Sequence, residues 1–373
     1  MSENKIFVTS PLLPELHDFI PLLETIWESK WLTNHGFYHQ KLERALEKHL
    51  SVAKISLFTN GTIPLVTAIQ AMNLKGEIIT SPFSFVATSH AILLSGLKPV
   101  FVDIDSITGN LDPTQIENAI TKNTSAIMPV HVYGNPCDTK AIKKIADKYD
   151  LKIIYDAAHA FGVKVEGKSI LREGDLSTLS FHATKVYNTI EGGALVSHDD
   201  ETKKKIDSLK NFGIIDEITV ESIGTNGKLD EIRSAFGLLT LEKVDGAIQK
   251  RKKIVEKYRS ILDAISGIRY ISDMPGVEHN YAYFPVFIDK AVFGKSRDEL
   301  YFALQKKGIH GRRYFYPLIT SFPMYKNLPS AHKDNLPVAY RLAEEVLCLP
   351  IYADLSLDEV ERIVSAIKDI QNS

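Results

Sequence analysis

One lysine stands where an apolar strand pattern ends and a loop begins. Lys185 follows Ser180 and His182 at the end of "LSTLSFH", and the helix-breaking "EGG" and the apolar "ALVS" come after it. A lysine on a loop that returns to the core can lose its hydration, which lowers its pKa and makes the amine nucleophilic. Such an amine forms Schiff bases with carbonyl compounds. A lone lysine is more often solvated surface, and on this segment alone that alternative stays open.

A second group of candidates follows an earlier strand pattern. "KISLF" at 54–58 is followed by the small polar residues Asn60, Gly61 and Thr62, where a helical pattern begins. The N-terminus of a helix offers free N–H groups and a partial positive charge, which together favour an anion such as phosphate. Thr62 adds a hydroxyl group. The alternative is an ordinary N-cap formed by Thr62 or Asn60.

Two further segments supply an acid and an aromatic ring. Asp156 ends the buried pattern "KIIYD", where a carboxylate is costly unless it is paired, for example with a cationic ring nitrogen. His159 follows three residues later and could contact the same ligand. Phe85 in "SPFSFVATS" offers a flat face for stacking. The alternatives are a carboxylate that caps the next loop, a core histidine and a core phenylalanine.

Pyridoxal 5'-phosphate needs all of these groups together. Its aldehyde requires an amine, its pyridinium nitrogen an acid, its phosphate an anion cup, and its ring a flat neighbour. The candidate amine is Lys185 and the candidate acid is Asp156. The candidate phosphate contacts are Gly61, Thr62 and Ser180, and the candidate flat neighbour is Phe85. Because ligands of parallel α/β sheets bind beyond the carboxyl ends of the strands, the places of these residues at predicted strand ends support one shared site.

Apolar runs alternate with helical patterns over the first 200 or so residues, and these elements must position the candidates. Strands that alternate with helices form βαβ units and a mostly parallel sheet covered on both faces. The sequence therefore predicts an α/β fold. The predicted strands are 54–58, 77–80, 99–103, 124–132, 152–156, 176–182 and 193–197, and the predicted helices are 14–30, 39–50, 62–73, 85–95, 112–120 and 138–149.

After about residue 200 the pattern changes to long helices and few strands, which is typical of a smaller α+β domain. The predicted elements are helices at 229–244, 247–265, 296–307, 335–346 and 356–371 and a strand at 281–288. A chain of 373 residues is long enough for two domains. We place the boundary within 229–265, which predicts a large domain at 1–245 and a small domain at 246–373.

Composition narrows the class of protein. The net charge is −2, with 44 basic and 46 acidic residues, so no basic excess indicates nucleic acid or a membrane surface as partner. Cys137 and Cys348 lie outside any metal-ligand spacing, which argues against a disulfide framework or a structural metal. The start of the chain lacks the apolar core of a signal peptide, and no run of about 18 apolar residues occurs. We expect a cytoplasmic protein with reduced thiols.

These segments resemble the DegT/StrS family of nucleotide-sugar aminotransferases, which are pyridoxal-phosphate-dependent enzymes of fold type I. The resemblance extends over nearly the whole chain and implies a large domain with a mostly parallel seven-stranded sheet and a smaller α+β C-terminal domain. The aspartate–lysine pair in its "DAAH…SFHATK" setting is specific to the family. The segments that carry the resemblance are "WLTNHG", "NGT", "SPFSFVATS", "VFVDID", "MPVHVYGNPCD", "IIYDAAHAFG", "SFHATKVYNTIEGG", "GTNGKLDEIRSAFG", "YFYPL" and "VLCLPIYADLS".

The resemblance implies a role for each candidate. Lys185 would bind the cofactor covalently and move protons, and Asp156 would keep the pyridine nitrogen protonated. His159 would lie near the ring hydroxyl, and Phe85 would stack on the ring. The implied phosphate contacts are Gly61, Thr62, Ile63, Ser180 and, from the neighbouring subunit of a homodimer, Asn226. The implied contacts near the sugar nucleotide are Trp31, His35 and Tyr316. Lys228 stands where the family more often has arginine.

Lys185 favours transamination, because relatives that dehydrate sugars have histidine in its place. The "SFHATK…EGG" version resembles bacterial enzymes that act on dTDP-linked 6-deoxy keto sugars. We therefore expect transfer of the amino group of L-glutamate to C4 of a dTDP-linked 4-keto-6-deoxy hexose, for surface polysaccharide such as O-antigen. Two alternatives stay open: the same chemistry at C3 of a 3-keto sugar, and a non-catalytic regulatory or sugar-nucleotide-binding protein.

Overall fold

A computed structural model describes residues 5–373 of the chain. Its strands are β1 (Ile6–Phe7), β2 (Lys54–Phe58), β3 (Glu77–Thr80), β4 (Lys98–Phe101), β5 (Thr124–Met128), β6 (Lys152–Asp156), β7 (Lys164–Val165), β8 (Lys168–Ser169), β9 (Leu176–Ser180), β10 (Gly193–Ser197), β11 (Ile268–Tyr270), β12 (Val277–Glu278), β13 (Phe284–Ile288), β14 (Ile309–His310) and β15 (Val346–Leu349). Its helices are α1 (Leu16–Ser29), α2 (Phe37–Leu50), α3 (Ile63–Ala71), α4 (Ala87–Leu94), α5 (Pro113–Ala119), α6 (Thr139–Tyr149), α7 (Asp200–Leu209), α8 (Glu231–Leu262), α9 (Lys290–Phe293), α10 (Arg297–Lys306), α11 (Pro337–Glu345) and α12 (Leu357–Asn372).

The seven strands predicted in the first half of the chain form one sheet. Their order is β2-β10-β9-β6-β5-β3-β4, and only β10 runs antiparallel to its neighbours among the pairs of this sheet. Parallel strands need crossover connections, and the predicted helices between the strands supply them. The predicted α/β fold with a mostly parallel seven-stranded sheet is therefore confirmed.

Both faces of this sheet are covered, which explains why its strands read as continuous apolar runs. Successive side chains of a strand point to opposite faces. Ile78 and Ile154 accordingly share a core with α3, α4 and α7, whereas Ile79 and Ile153 share a core with α5 and α6. Asp156 and Ser180, in contrast, are polar residues at the ends of β6 and β9, where a ligand can reach them.

The second glycine of "EGG" lies where the ends of three strands meet. β10 begins at Gly193, which lies opposite both Phe58 at the end of β2 and Ser180 at the end of β9. A Cβ atom at Gly193 would lie 2.4 Å from the carbonyl oxygen of Asn60, so a larger residue would push the turn after β2 away. This contact brings the loop of Lys185 close to the turn that contains Gly61.

The two helices predicted at 229–244 and 247–265 are one uninterrupted helix of 32 residues, α8. The two ends of α8 pack into different hydrophobic cores. Val244 belongs to the core of the large sheet, and Ile254 belongs to the C-terminal core. The change of buried face, together with the exposed Gly246, produced the apparent break in the sequence pattern. The predicted domain boundary at 245/246 falls inside α8 and stays a prediction.

The C-terminal half forms a second core around the three-stranded antiparallel sheet β11-β13-β15. The end of α8, α10 and α12 supply its apolar side chains. Ile6 belongs to this core because β1 pairs with β14, so residues near the N-terminus pack against the C-terminal half. Within residues 5–373, none of the helices combines the length and apolar character that crossing a membrane requires.

Candidate active site

A cavity of about 340 Å³ lies beyond the carboxyl ends of β2, β6 and β9. This volume falls within the usual range for small-molecule sites. Seven of the predicted residues line it: Gly61, Thr62, Phe85, Asp156, His159, Ser180 and Lys185. Residues that are far apart in sequence therefore meet at one place, as their positions at strand ends predicted.

The amine of Lys185 lies inside this cavity. Burial lowers the pKa of Lys185 to about 8, while the nearby Asp156 opposes the shift and Arg312 adds to it. The nearest hydrogen-bonding partner of its Nζ is the hydroxyl oxygen of Tyr283, at 3.5 Å. A solvated surface lysine would stay fully charged at neutral pH. The structure therefore favours the interpretation of Lys185 as a reactive amine.

Asp156 is buried at the end of β6, where both of its oxygens accept a hydrogen bond. The hydroxyl of Thr88 donates to Oδ2 at 2.7 Å, and the backbone N–H of Ala158 donates to Oδ1 at 3.1 Å. Burial raises the pKa of Asp156, and these two bonds and the charge of Lys185 act against that rise. The bond to Ala158 shows that the carboxylate does cap the next loop, but each oxygen keeps a lone pair for a ligand in the cavity.

His159 is neutral and holds its proton on Nε2. Its Nδ1 accepts a hydrogen bond from the backbone N–H of Tyr133 at 3.2 Å, so this nitrogen carries no proton. Burial lowers the pKa of His159 well below its usual value, and the charge of Lys185 lowers it further. The ring packs against those of Tyr283 and Phe315. His159 therefore offers an N–H donor at the cavity wall.

The turn after β2 contains both of the features that the sequence offered as alternatives, an N-cap for α3 and a possible phosphate site. The Oδ1 atom of Asn60 accepts hydrogen bonds from the N–H groups of Thr62 and Ile63, at 2.9 and 3.0 Å, so Asn60 does cap α3. The hydroxyls of Thr62 and Ser180 line the cavity beside this turn. A Cβ atom at Gly61 would lie 2.7 Å from Cβ and 2.9 Å from Oγ of Ser180, so the glycine keeps the space beside the Ser180 hydroxyl open.

The remaining predicted residues do not line the cavity of their own chain. Trp31 and His35 are exposed in the loop before α2. Tyr316 is exposed, and its ring packs against the guanidinium groups of Arg297 and Arg313, outside the cavity. Asn226 is exposed and pairs through its backbone with Asn211. Ile63 lies in the first turn of α3, and the roles predicted for all of these residues stay predictions.

Eight polar or aromatic residues of the cavity were not predicted, and four of them come from segments that follow α8. These four reach the cavity only because the C-terminal part of the chain packs against the large sheet. The aromatic segments "YAYFPV" and "RRYFYP" were the available signal, since buried tyrosines often serve as polar contacts. The residues are Ser84, His182, Thr184, Glu191, Tyr283, Arg312, Tyr314 and Phe315.

These groups fit pyridoxal phosphate. The amine of Lys185 is buried with a lowered pKa, and no carboxylate within residues 5–373 forms an ion pair with it. Asp156 retains acceptor capacity for a protonated ring nitrogen. A Cβ atom at Gly61 would fill the space beside the hydroxyl of Ser180, which is a suitable place for a phosphate. A buried amine, a buried acid and an anion cup are three of the four groups that this cofactor requires, and Phe85 at the cavity wall is the candidate for the fourth, a flat neighbour of the ring.

A buried amine and a buried acid at the carboxyl ends of a parallel sheet are features of pyridoxal-phosphate-dependent transferases. The chain belongs to the DegT/DnrJ/EryC1/StrS aminotransferase family, which matches residues 15–368. This membership confirms the predicted family, the predicted aminotransferase and pyridoxal phosphate as its cofactor.

Individual relatives cover almost the whole chain. The chain is 54% identical over 369 residues to the dTDP-4-amino-4,6-dideoxy-D-glucose transaminase of Shigella dysenteriae. The aligned residues cover 99% of this chain and 100% of that relative. The crystal structure of DesI in the presence of its TDP-sugar product has a TM-score of 0.94 at 33% identity, with 100% of this chain and 94% of that chain covered. NtdA from Bacillus subtilis with bound cofactor PMP has a TM-score of 0.88 at 25% identity, with 100% and 87% covered.

Replacement of Gly61 by alanine is expected to weaken the binding of pyridoxal phosphate by at least about tenfold, because the new methyl group would lie 2.7 Å from Cβ and 2.9 Å from Oγ of Ser180. Equilibrium titration of the cofactor-free protein with pyridoxal phosphate, followed by absorbance, measures the change. The matched control is Gly246→Ala, because a Cβ atom there meets no other atom within 4 Å. This control should keep wild-type affinity and gain slightly in stability, since alanine is the better helix former. If Gly61→Ala and wild type bind pyridoxal phosphate equally tightly, the space at Gly61 is not the phosphate site.

Proposed function

We propose that the protein transfers the amino group of L-glutamate to C4 of a dTDP-linked 4-keto-6-deoxy hexose. The products are 2-oxoglutarate and a dTDP-4-amino-4,6-dideoxy sugar, which would serve the synthesis of a surface polysaccharide such as O-antigen. The observation that carries this proposal is the 54% identity, over 99% of this chain, to a transaminase that is named for a dTDP-4-amino-4,6-dideoxy sugar. The buried amine and acid of the cavity are the groups that the reaction requires.

The residues of the cavity divide the chemistry between them. When bound, pyridoxal phosphate supplies an electrophilic carbonyl and a ring that takes up electrons from the substrate carbon. In the first half of the reaction, Lys185 Nζ removes the proton from Cα of L-glutamate, and in the second half it returns a proton to C4 of the sugar. Asp156 would hold the ring nitrogen in its protonated form, and His159 would hold the ring hydroxyl through its Nε2–H group. General acid–base help of this kind typically contributes about 10²–10⁴-fold.

Arg312 is the group best suited to hold the amino donor. It lines the cavity and lies close enough to Lys185 to lower the pKa of that amine. Its guanidinium stacks on the ring of Tyr314 at 4.3 Å, and no carboxylate within residues 5–373 forms an ion pair with it. The α-carboxylate of an amino acid is one bond from the reacting carbon, whereas the diphosphate of a nucleotide sugar lies across the sugar ring from C4. Proximity to Lys185 therefore favours the carboxylate.

Replacement of Arg312 by methionine is expected to raise the KM for L-glutamate by about 10–100-fold, because a charge-assisted bond to the carboxylate is lost. The two half-reactions, measured separately by stopped-flow absorbance, should assign the loss to the glutamate step. The matched control is Arg172→Met, which removes an exposed arginine outside the cavity. A loss confined to the keto-sugar step would instead assign Arg312 to the diphosphate.

We infer that the enzyme is a homodimer with shared sites. Asn226, to which the resemblance gives a phosphate contact, is exposed and does not line the cavity of its own chain. The loop before it exposes the apolar side chains of Ile215, Ile218 and Ile223, and exposed apolar patches of this kind mark interaction surfaces. Sedimentation equilibrium should give about twice the chain mass of 41.7 kDa. A monomer at assay concentrations would contradict the shared site.

Incubation of the purified holoenzyme with L-glutamate and dTDP-4-keto-6-deoxyglucose tests the reaction directly. The expected result is stoichiometric 2-oxoglutarate and a product whose NMR spectrum shows the amino group at C4. An amino group at C3, formed only from a 3-keto substrate, would support the alternative regiochemistry. If the protein binds the nucleotide sugar but turns over with no amino donor, the non-catalytic alternative replaces the proposal.

A further inference from the structure

A chain of two hydroxyl groups leads from the wall of the cavity to Asp156. The Oγ1 atom of Thr88 lies 2.7 Å from Oδ2 of Asp156 and 2.8 Å from Oγ of Ser84. All three residues are buried, Thr88 completely so. Thr88 belongs to α4, whereas Asp156 ends β6, so the contact depends on how this helix packs on the sheet.

The direction of these hydrogen bonds follows from counting protons. The hydroxyl of Thr88 has one hydrogen and three possible acceptors: the carboxylate of Asp156 at 2.7 Å, Oγ of Ser84 at 2.8 Å and the backbone carbonyl of Phe85 at 3.2 Å. The shortest bond, to a carboxylate that cannot itself donate, takes the hydrogen. Ser84 must then donate to Thr88. The chain therefore runs from Ser84 through Thr88 to Asp156, and Ser84 keeps the Thr88 hydroxyl pointing at the carboxylate.

The bond matters because Asp156 is in an environment that opposes its charge. Burial raises the pKa of Asp156, and the hydrogen bond from Thr88 is the largest effect in the opposite direction. A proton between a carboxylate and a pyridine nitrogen moves towards the carboxylate when that carboxylate loses a hydrogen-bond donor. Loss of the Thr88 hydroxyl would therefore change where that proton lies without moving any group that touches the substrate.

We propose that Thr88 is a positioning residue that keeps the shared proton on the ring nitrogen of the cofactor rather than on Asp156, with Ser84 as its orienting partner. The proposal rests on the proposed function only in so far as pyridoxal phosphate lies against Asp156. Its consequence is that the electron-accepting capacity of the site is set partly from the N-terminus of α4, through a residue that touches neither substrate nor cofactor. The proton stays within the pair in both states, so no further acid or base is required.

The test uses holoenzyme loaded with pyridoxal phosphate that is ¹⁵N-labelled in its ring, and the chemical shift of that nitrogen as readout. Wild type should show the resonance of a protonated ring nitrogen. In Thr88→Val, which keeps the shape and removes the hydroxyl, the resonance should move towards that of an unprotonated pyridine, and the glutamate half-reaction should slow by about tenfold. Thr88→Ser retains the hydroxyl and should restore both values.

The matched control is Thr67→Val in the neighbouring helix α3, because the buried hydroxyl of Thr67 finds no hydrogen-bonding partner among residues 5–373. This variant should leave the ¹⁵N resonance unchanged. Ser84→Ala should shift the resonance in the same direction as Thr88→Val but less, and it decides the matter if Thr88→Val fails to fold. An unshifted resonance in Thr88→Val, or in Ser84→Ala where it is needed, overturns the proposal. Failure of the proposed function is seen separately, as wild-type holoenzyme that does not turn over with L-glutamate.

Discussion

The variant Lys185→Ala is expected to lose at least about 10⁴-fold in turnover while the protein still folds. The amine of Lys185 is the group in the cavity whose pKa is lowered to about 8, so it is both nucleophilic and able to exchange protons near neutral pH. General acid–base help alone accounts for about 10²–10⁴-fold, and the loss of the covalent attachment adds to it. The measurement is the rate of 2-oxoglutarate formation, together with circular dichroism to verify the fold.

A second readout separates the role of Lys185 from a loss of structure. After treatment with borohydride, mass spectrometry should find the cofactor attached to Lys185 in the wild-type protein and to no lysine in the variant. The control Lys168→Ala removes an exposed lysine of β8 and should keep wild-type turnover and labelling. Turnover of Lys185→Ala at the wild-type rate, or labelling at another lysine, would show that the reactive amine has been misassigned.

The variant Asp156→Asn is expected to lose about 10²–10³-fold in turnover, the usual cost of removing one preorganised electrostatic contact. Asparagine preserves the shape and one acceptor oxygen, but it carries no charge and cannot hold the proton on the ring nitrogen. Both half-reactions should slow, because both need the ring as an electron acceptor. Stopped-flow absorbance with L-glutamate, and then with the keto sugar, measures the two rates.

Asp175→Asn is the matched control for this variant. Asp175 accepts a hydrogen bond from the backbone N–H of Ile153, near the opposite end of the same strand from Asp156. Its replacement should leave both half-reactions at wild-type rates, although it perturbs the same strand. If Asp156→Asn and Asp175→Asn react equally fast, the carboxylate of Asp156 does not assist the ring, and the proposal for Thr88 fails with it.

The central sheet was predictable because its information is local. Most of its seven strands are short apolar runs, and all seven predicted strands are present, although β5 ends at Met128, four residues before the predicted end at 132. Because the strands could be located from the sequence, their carboxyl ends could also be predicted as the place where a polar ligand binds. The C-terminal sheet was harder: the helix predicted at 335–346 is α11, which ends at Glu345, and the strand β15 that follows it directly at Val346–Leu349 was not predicted.

Residue types and their order along the chain determined the chemistry of this protein by themselves. A lysine after one strand, an aspartate at the end of another and a small polar turn after a third are the requirements of one cofactor, and the fold that joins them follows from strand and helix alternation. Only the tertiary structure determined the pKa values, the hydrogen bonds and the charged neighbours of these groups. The lowered pKa of Lys185, the hydroxyl chain from Ser84 to Asp156 and the presence of Arg312 depend on burial and on contacts between distant segments. Burial and long-range contacts are properties of the folded chain, which is why no local pattern could have shown them.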